Sequence, residues 1–577
     1  MLGYDLQSMR QNGFEVVVSN KANRRGILFA RYTVVIIVGV SAFLYPALFT
    51  PGGTPFWHSG DQDLFLLNAS RMLHGELIYR DFFHFLLPGT ETVFLSLFKM
   101  WGERAWIVNT VLILLGVVQT WLIVFISSTV LDGWAAALPG LLFLVGPFRN
   151  VLDATHNWFS SATVLATVLV VIEERTKRRL AIAGVLCGIA SVFTSPRGLM
   201  CAFGLVVFLV WEQREDKAKC NELRVKLFSL LLPFALTIAG VCGYLVARVG
   251  LPTLWESLVI FPLRYYPKDH FNNSFRVYMT DWPGFTPWTH LPALSVWFFI
   301  YALLPLTYIL FLIRYGQSQS KEAGETGKRL MLLNIVGCAL FCGIITTPSF
   351  TRLSEVSPPA LILLTWLLNS TAGHAKFAMK LLWIWALVLV AIESLPNWRH
   401  TWFVLDLPTG QVAFQGERTD STVAWLAEHI HPREYVFDAA CRVYFVLQVE
   451  NPGKIPVVSN TGYTTVEQVQ NLIYSLEAKQ ARFILWRRFL DVPPSGLDKG
   501  DNLGPLRLYL ARHYRPVYTF SAGDRIFERS ATSDPRSSGG VPSLLKAPGI
   551  RFAGLENCRS DFANDTSTAP SPMTFDD

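Results

Sequence analysis

The sequence predicts a polytopic α-helical membrane protein that ends in a small α/β domain outside the membrane. Three observations carry this. Of 577 residues, 51% are hydrophobic and only 16% charged, against roughly 25% charged in a soluble domain. The apolar residues gather into stretches that approach or exceed the ~20 residues a helix needs to span a bilayer. From about residue 397 the pattern changes to short strands alternating with amphipathic helices. The same composition excludes a disordered regulator, a disulfide-stapled secreted module and a strongly basic nucleic-acid binder. Net charge is only +7, and the eight cysteines are scattered without a paired CxxC spacing.

Taken in order, the predicted spans are 32–49, 106–131, 134–148, 158–172, 180–194, 198–211, 227–247, 291–313, 330–347, 356–368 and 377–392. Short ones still cross where neighbours extend them or the bilayer thins. The stretch 82–100 carries His84, Glu91 and Lys99, too many polar groups for hydrocarbon, and reads as a juxtamembrane helix at the surface. Four basic clusters then set orientation: Lys21, Arg24, Arg25 and Arg31; Arg175 and Lys177 to Arg179; Arg214, Lys217, Lys219, Arg224 and Lys226; Arg314, Lys321, Lys328 and Arg329. With the N-terminus inside, eleven spans put every cluster on the cytoplasmic side. Outside lie 50–105, 149–157, 248–290, 348–355 and everything after about 397.

The expected organisation is a cytoplasmic segment 1–31 leading into a retained signal-anchor, a membrane domain 32–396, an α/β domain 397–530, and a disordered Ser-, Pro-, Gly- and Asp-rich tail 531–577. Within the α/β domain, helices are predicted over 421–430, 465–479 and 506–513, and strands over 435–437, 483–486, 517–520 and 526–528. The last two strands make a hairpin across 521–524.

Ionisable groups collect in the outer segments. The first holds His58, Asp61, Asp63, Arg71, His74, Glu76, Arg80, Asp81 and His84. Carboxylates at i and i+2, as at Asp61 and Asp63, suit a general base or a bound cation, and equally suit capping of the helix that follows. Asp153 and His156, beside Arg149, could add a second acid or a substrate hydrogen bond, or form a solvated loop. Arg264 and Lys268 flank Tyr265 and Tyr266, a mixture fitting an amphiphilic ligand or an interfacial aromatic belt. Arg352 and Glu355 are placed to pair with one another, and Arg197 to snorkel outward.

The run Gly60-Asp61-Gln62-Asp63, then Ala69-Ser70-Arg71-Met72-Leu73-His74-Gly75, Tyr79-Arg80-Asp81-Phe82-Phe83 and Pro88-Gly89, resembles the first outer loop of GT-C fold glycosyltransferases. The group includes protein O-mannosyltransferases and bacterial aminoarabinose transferases. The resemblance implies a GT-C membrane domain of about eleven helices with Asp61 as catalytic base and Asp63 in support. There are departures. Gln62 stands where Glu is common, and Leu87-Pro88-Gly89 replaces a Lys-Pro-Pro element. The lysine expected to meet the donor phosphate is therefore missing, and the task falls to Arg80 or another basic residue. His58, His84, Asp153, His156, Arg264, Lys268 and Arg352 complete the expected substrate-binding set.

The implied activity is transfer of a sugar from a polyprenyl-phosphate donor to a lipid, glycan or protein acceptor at the outer face of the cell membrane. No cofactor is implied with certainty, though Asp61 and Asp63 are compatible with a Mg²⁺ or Mn²⁺ ion. The C-terminal domain is expected to restrain or select the acceptor and to carry no catalytic group. Two rival classes are a secondary transporter and a membrane scaffold or receptor. Nearly charge-free spans without half-repeats argue against the first, and the acidic first loop is unexplained by the second.

Overall fold

The computed structural model describes residues 32–216, 220–269, 291–317, 324–370, 374–394, 401–492 and 500–530. The expected cytoplasmic segment and tail, and 270–290 of the third outer segment, lie outside the described residues.

Every apolar stretch is helical. α1 is Tyr32–Leu48. Two amphipathic helices follow it, α2 (Gln62–Leu73) and α3 (Gly89–Trp101). Then come α4 (Ala105–Ser127), the broken helix α5 (Gly133–Phe148), α6 (His156–Ile172), α7 (Lys177–Phe193), α8 (Ser195–Asp216) and α9 (Cys220–Val249). A wound outer stretch over 251–268 leads to α10, Leu291–Phe298 continuing through a π-turn into Leu304–Gln317. The helical part ends with α11 (Glu325–Cys342), α12 (Phe350–Val356), α13 (Pro358–Ser370) and α14 (His374–Glu393).

Hydrocarbon is the solvent these helices are built for. Ala105–Ser127, Ser195–Glu215, Asn221–Val249, Leu294–Gln317 and Ala375–Glu393 are long and apolar enough to cross a membrane. Only 11% of the apolar window of Asn221–Val249, and 11% of that of Ala375–Glu393, is buried inside the protein. Phe228, Leu236 and Tyr244 on one, and Phe377, Ile384 and Leu387 on the other, face outward. Such continuous apolar exposure is tolerated only where lipid covers it. The chain is a multi-pass membrane protein.

Between helices, lipid supplies no hydrophobic drive, so close backbone approach must supply contact. Gly184 and Gly188, four apart on α7, meet α9 face on. A Cβ at 184 would lie 2.1 Å from the Leu230 carbonyl oxygen, and one at 188 would lie 2.6 Å from Thr237 Cβ. Gly89 explains one departure in the first loop: its Cβ would strike the Val192 carbonyl at 2.8 Å, so α3 can start there only on glycine.

The C-terminal part opens with a hairpin absent from the sequence reading, β1 (Trp402–Leu407) and β2 (Gly410–Gln415). A second sheet follows in the order β3-β4-β6-β5, from Val436–Asp438, Phe483–Trp486, Tyr514–Thr519 (β5) and Arg525–Arg529 (β6). β3 and β4 are parallel and the other pairings antiparallel. Helices Thr422–His429, Val466–Lys479 and Gly504–His513 lie within a residue or two of the predicted ranges. The second of these starts at a capping box of Thr465 and Gln468.

Backbone bonds rivet this domain to the first outer loop. Trp57 N donates to the Ala413 carbonyl, Ala413 N to Pro55, and Phe83 N to Lys454. Phe445 stacks on Trp57 at 5.7 Å and on Phe98 of α3 at 5.3 Å. α3 is thus clamped beneath the α/β domain.

Replacing Gly184 with valine must push α7 off the Leu230 carbonyl. Overpacking of this kind costs ~1–3 kcal/mol. Gly184→Val should lower the unfolding temperature of the detergent-purified protein and its monodisperse yield, whereas Gly243→Ala, with open space around its Cβ, should not.

Candidate active site in the first outer loop

The site is built around the start of α2. Asp61 occupies the N-cap position, yet its side chain makes no cap bond. The orphan donors there are satisfied from 92 residues away: Asp153 accepts from the backbone N–H of Asp61 through Oδ2 and of Gln62 through Oδ1, both at 3.0 Å. A carboxylate at a helix N-terminus is well placed for this. Gln62 locks the contact further, its Oε1 accepting from Ala154 N at 2.9 Å and its amide donating to the His58 carbonyl. Glutamate at 62 could accept but not donate, which gives the second departure its physical reason.

Asp63 is engaged within the loop itself. Its Oδ2 accepts from Ser59 Oγ at 2.5 Å and Gly60 N at 3.2 Å, so this carboxylate holds the loop together. Among the described residues there is no group of three or more His, Cys, Asp or Glu suited to a metal.

Asp61 alone stays open. It is exposed, and among the described residues its carboxylate accepts no hydrogen bond. The surrounding protein raises its pKa by desolvation, while the charge of Arg352 pulls it back. The open side of the carboxylate tempers that desolvation. Asp153 is held well above the usual carboxylate range, first by burial and then by repulsion from Asp61. Two carboxylates that interact this strongly do not both ionise easily. Burial pushes Asp63 up to about 8 despite its Ser59 bond.

The remaining predicted residues separate into three sets. Arg352 belongs to the centre: its guanidinium donates to Tyr266 OH at 3.0 Å and to the Thr347 carbonyl at 3.2 Å, and its charge reaches Asp61. Its expected partner Glu355 instead binds Arg197, at 2.8 Å with both side chains buried. Arg197 does not snorkel; it also donates to the Asn157 carbonyl and Ser160 Oγ. His156 flanks the centre at the start of α6, its ring 5.0 Å from Phe65.

A second set is structural. His84 is sealed in the loop, with Nε2 2.9 Å from Glu91 Oε1 and Nδ1 3.3 Å from the Asn68 amide. His58 lies 3.2 Å from the Ala47 carbonyl, its pKa lowered to about 4 by burial, and is neutral at physiological pH. Arg71, in the helix motif, donates to the Gly453 carbonyl and pairs with Glu76, tying α2 to the α/β domain.

The third set lies at the rim. Arg80 is exposed and its guanidinium is occupied by Asp81, at 2.9 and 2.7 Å. Arg264 is exposed over Tyr265, and the Lys268 ammonium sits 5.0 Å from the same ring. The stem of Lys268 lies against Gly462 of the α/β domain. Next to Gly462 stands Tyr463, whose hydroxyl feels the charge of Asp61. Sequence reasoning had no route to Tyr463 as part of this site, since 402 residues separate it from Asp61.

Residues 91–240 match the family described as dolichyl-phosphate-mannose-protein mannosyltransferase. Among solved structures, the chain is similar to apo ArnT from Cupriavidus metallidurans, with 11% identity, 88% of this chain and 98% of that one covered, and a TM-score of 0.52. It is also similar to ArnT bound to undecaprenyl phosphate (11% identity, 89% and 99% covered, TM-score 0.46) and to the archaeal oligosaccharyltransferase AglB from Archaeoglobus fulgidus in complex with an inhibitory peptide and a dolichol-phosphate (10%, 89% and 75%, TM-score 0.47). No curated protein matches by sequence. The family and these structural neighbours are glycosyltransferases, and the fold shared with ArnT is the GT-C fold.

Because Asp63 is protonated in the folded protein up to about pH 8 but ionises near 3.9 when unfolded, the native state binds the extra proton between these values. Stability therefore falls as pH rises from about 4 to about 8. Asp63→Asn, which mimics the neutral acid, should weaken this decline in thermal-unfolding scans while leaving turnover close to that of the parent protein.

Proposed function

We propose that this chain, built on the GT-C glycosyltransferase fold, moves a sugar from a polyprenyl-phosphate donor to an acceptor at the extracytoplasmic face of the cell membrane, with Asp61 as general base. The observation that carries this is the Asp61 carboxylate, without a hydrogen bond among the described residues, at a helix start that Asp153 caps in its place. The donor class is supported by the match of 91–240 to a family named for a dolichyl-phosphate sugar.

In this reading the polyprenyl tail remains in lipid while phosphate and sugar enter the cleft at Asp61. The acceptor oxygen attacks the sugar C1, its proton passes to an Asp61 oxygen, and the bond from C1 to the phosphate oxygen breaks with its electron pair leaving on the phosphate. That leaving group needs a cation more than a proton. Arg352, held against Tyr266, takes the role first expected of Arg80, which Asp81 already neutralises. Asp153 positions the base through the backbone of α2, and the desolvation that raises the Asp61 pKa favours proton uptake as the acceptor is deprotonated.

Orientation follows from the four basic clusters: N-terminus in the cytoplasm, α/β domain outside. An alkaline-phosphatase reporter fused after Ser530 should be active, and one fused within 321–328 inactive; the opposite pattern would reverse the faces.

A positioned base contributes ~10²–10⁴-fold to rate. Asp61→Asn should lower kcat by that order while polyprenyl phosphate still binds, measured with purified variants and radiolabelled donor. Near-normal turnover in Asp61→Asn would remove Asp61 from the mechanism.

A further inference from the structure

Beside Asp61 stands a group of aromatic rings drawn from three distant parts of the chain. Phe261 is buried at its base. Phe83 and Phe85 of the first outer loop lean on it at centroid distances of 4.6 and 5.4 Å, and Tyr463 of the α/β domain at 5.2 Å. Tyr266 joins through Phe85 at 5.2 Å and Tyr463 at 6.4 Å. Phe83, Phe85, Tyr266 and Tyr463 are only half-buried, so they leave apolar faces in reach of a ligand.

The polar edge of this group is as informative as its faces. Tyr266 OH is held by Arg352, and the charge of Asp61 acts on the hydroxyls of both Tyr266 and Tyr463. An isoprenoid tail needs no such edge. A sugar does, because it presents C–H groups on its ring face and hydroxyls around its rim, the combination that a ring with a polar tip accommodates.

We propose that Tyr463 forms a wall of the donor-sugar site, so that the α/β domain takes part in recognising the donor as well as the acceptor. This rests on the glycosyl-transfer reading above. It revises the expectation that the domain serves the acceptor alone. Tyr463 is placed for the purpose by its neighbours: Gly462 admits the stem of Lys268, with Lys268 Cδ 2.7 Å from where a Cβ would be, and Thr465 caps the helix that starts directly after it.

The test compares binding of bare polyprenyl phosphate with binding of polyprenyl phosphates carrying mannose, glucose, galactose or arabinofuranose, to the full-length protein in nanodiscs. The parent protein should bind at least one sugar-bearing lipid more tightly than the bare lipid. Tyr463→Ala should reduce that preference about tenfold, on the order of the loss of one packed ring, with bare-lipid affinity unchanged. Unchanged bare-lipid affinity also shows that the variant is folded. Tyr463→Phe should keep most of the preference. A sugar preference that survives Tyr463→Ala, or one absent from the parent protein, would overturn the proposal. Failure of the parent protein to bind bare polyprenyl phosphate would instead overturn the glycosyl-transfer reading itself.

Discussion

The capping of α2 by Asp153 is the contact on which the site depends. A helix start leaves backbone N–H groups in need of acceptors, and Asp61, at the N-cap position, would normally turn inward to supply one. Because Asp153 reaches across from the second outer segment, Asp61 is released from that duty and keeps an unengaged carboxylate. The same contact fixes two outer segments to one another.

Around that contact the α/β domain is joined to the first loop by backbone hydrogen bonds and stacked rings, not by surface charge. Trp57, Phe83 and Ala413 exchange main-chain bonds across the boundary, and Arg71 reaches the Gly453 carbonyl. Bonds of this kind resist salt, whereas exposed ion pairs contribute little. The domain is consequently fixed against the first loop, and that docking brings Tyr463 within reach of the charge of Asp61.

The membrane part follows a different logic. Its helices gain nothing from excluding water, so glycines at 184 and 188 let α7 approach α9, and the buried Arg197 and Glu355 pair with one another. Removing one partner of Arg197 and Glu355 would strand the other, at a cost of about 3–5 kcal/mol. This pair sits beside Arg352 in the electrostatic field of the site, since the charge of Arg352 also reaches Glu355.

The sequence by itself determined what depends on local periodicity and solvent. Apolar run length marked the long membrane helices but not α12 or the helical turns over 251–268, which fall in segments expected as loops; alternation and turn chemistry placed the strands from Val436 onward within a few residues, and the Asp-rich motif singled out the start of α2. The β1–β2 hairpin escaped because its pairing with Pro55 and Trp57 is long-range. Tertiary structure alone decided the partners of each charge. Nothing in the local sequence shows that Glu355 turns to Arg197, that Arg80 is satisfied by its neighbour Asp81, or that Asp63 binds Ser59 while Asp153 caps the start of α2. Ionic partners are chosen by distance in space, which three residues of helix scarcely constrain and a fold of several hundred residues sets outright. For the same reason Tyr463, anonymous in its own segment, becomes a neighbour of Asp61 only when the chain has closed.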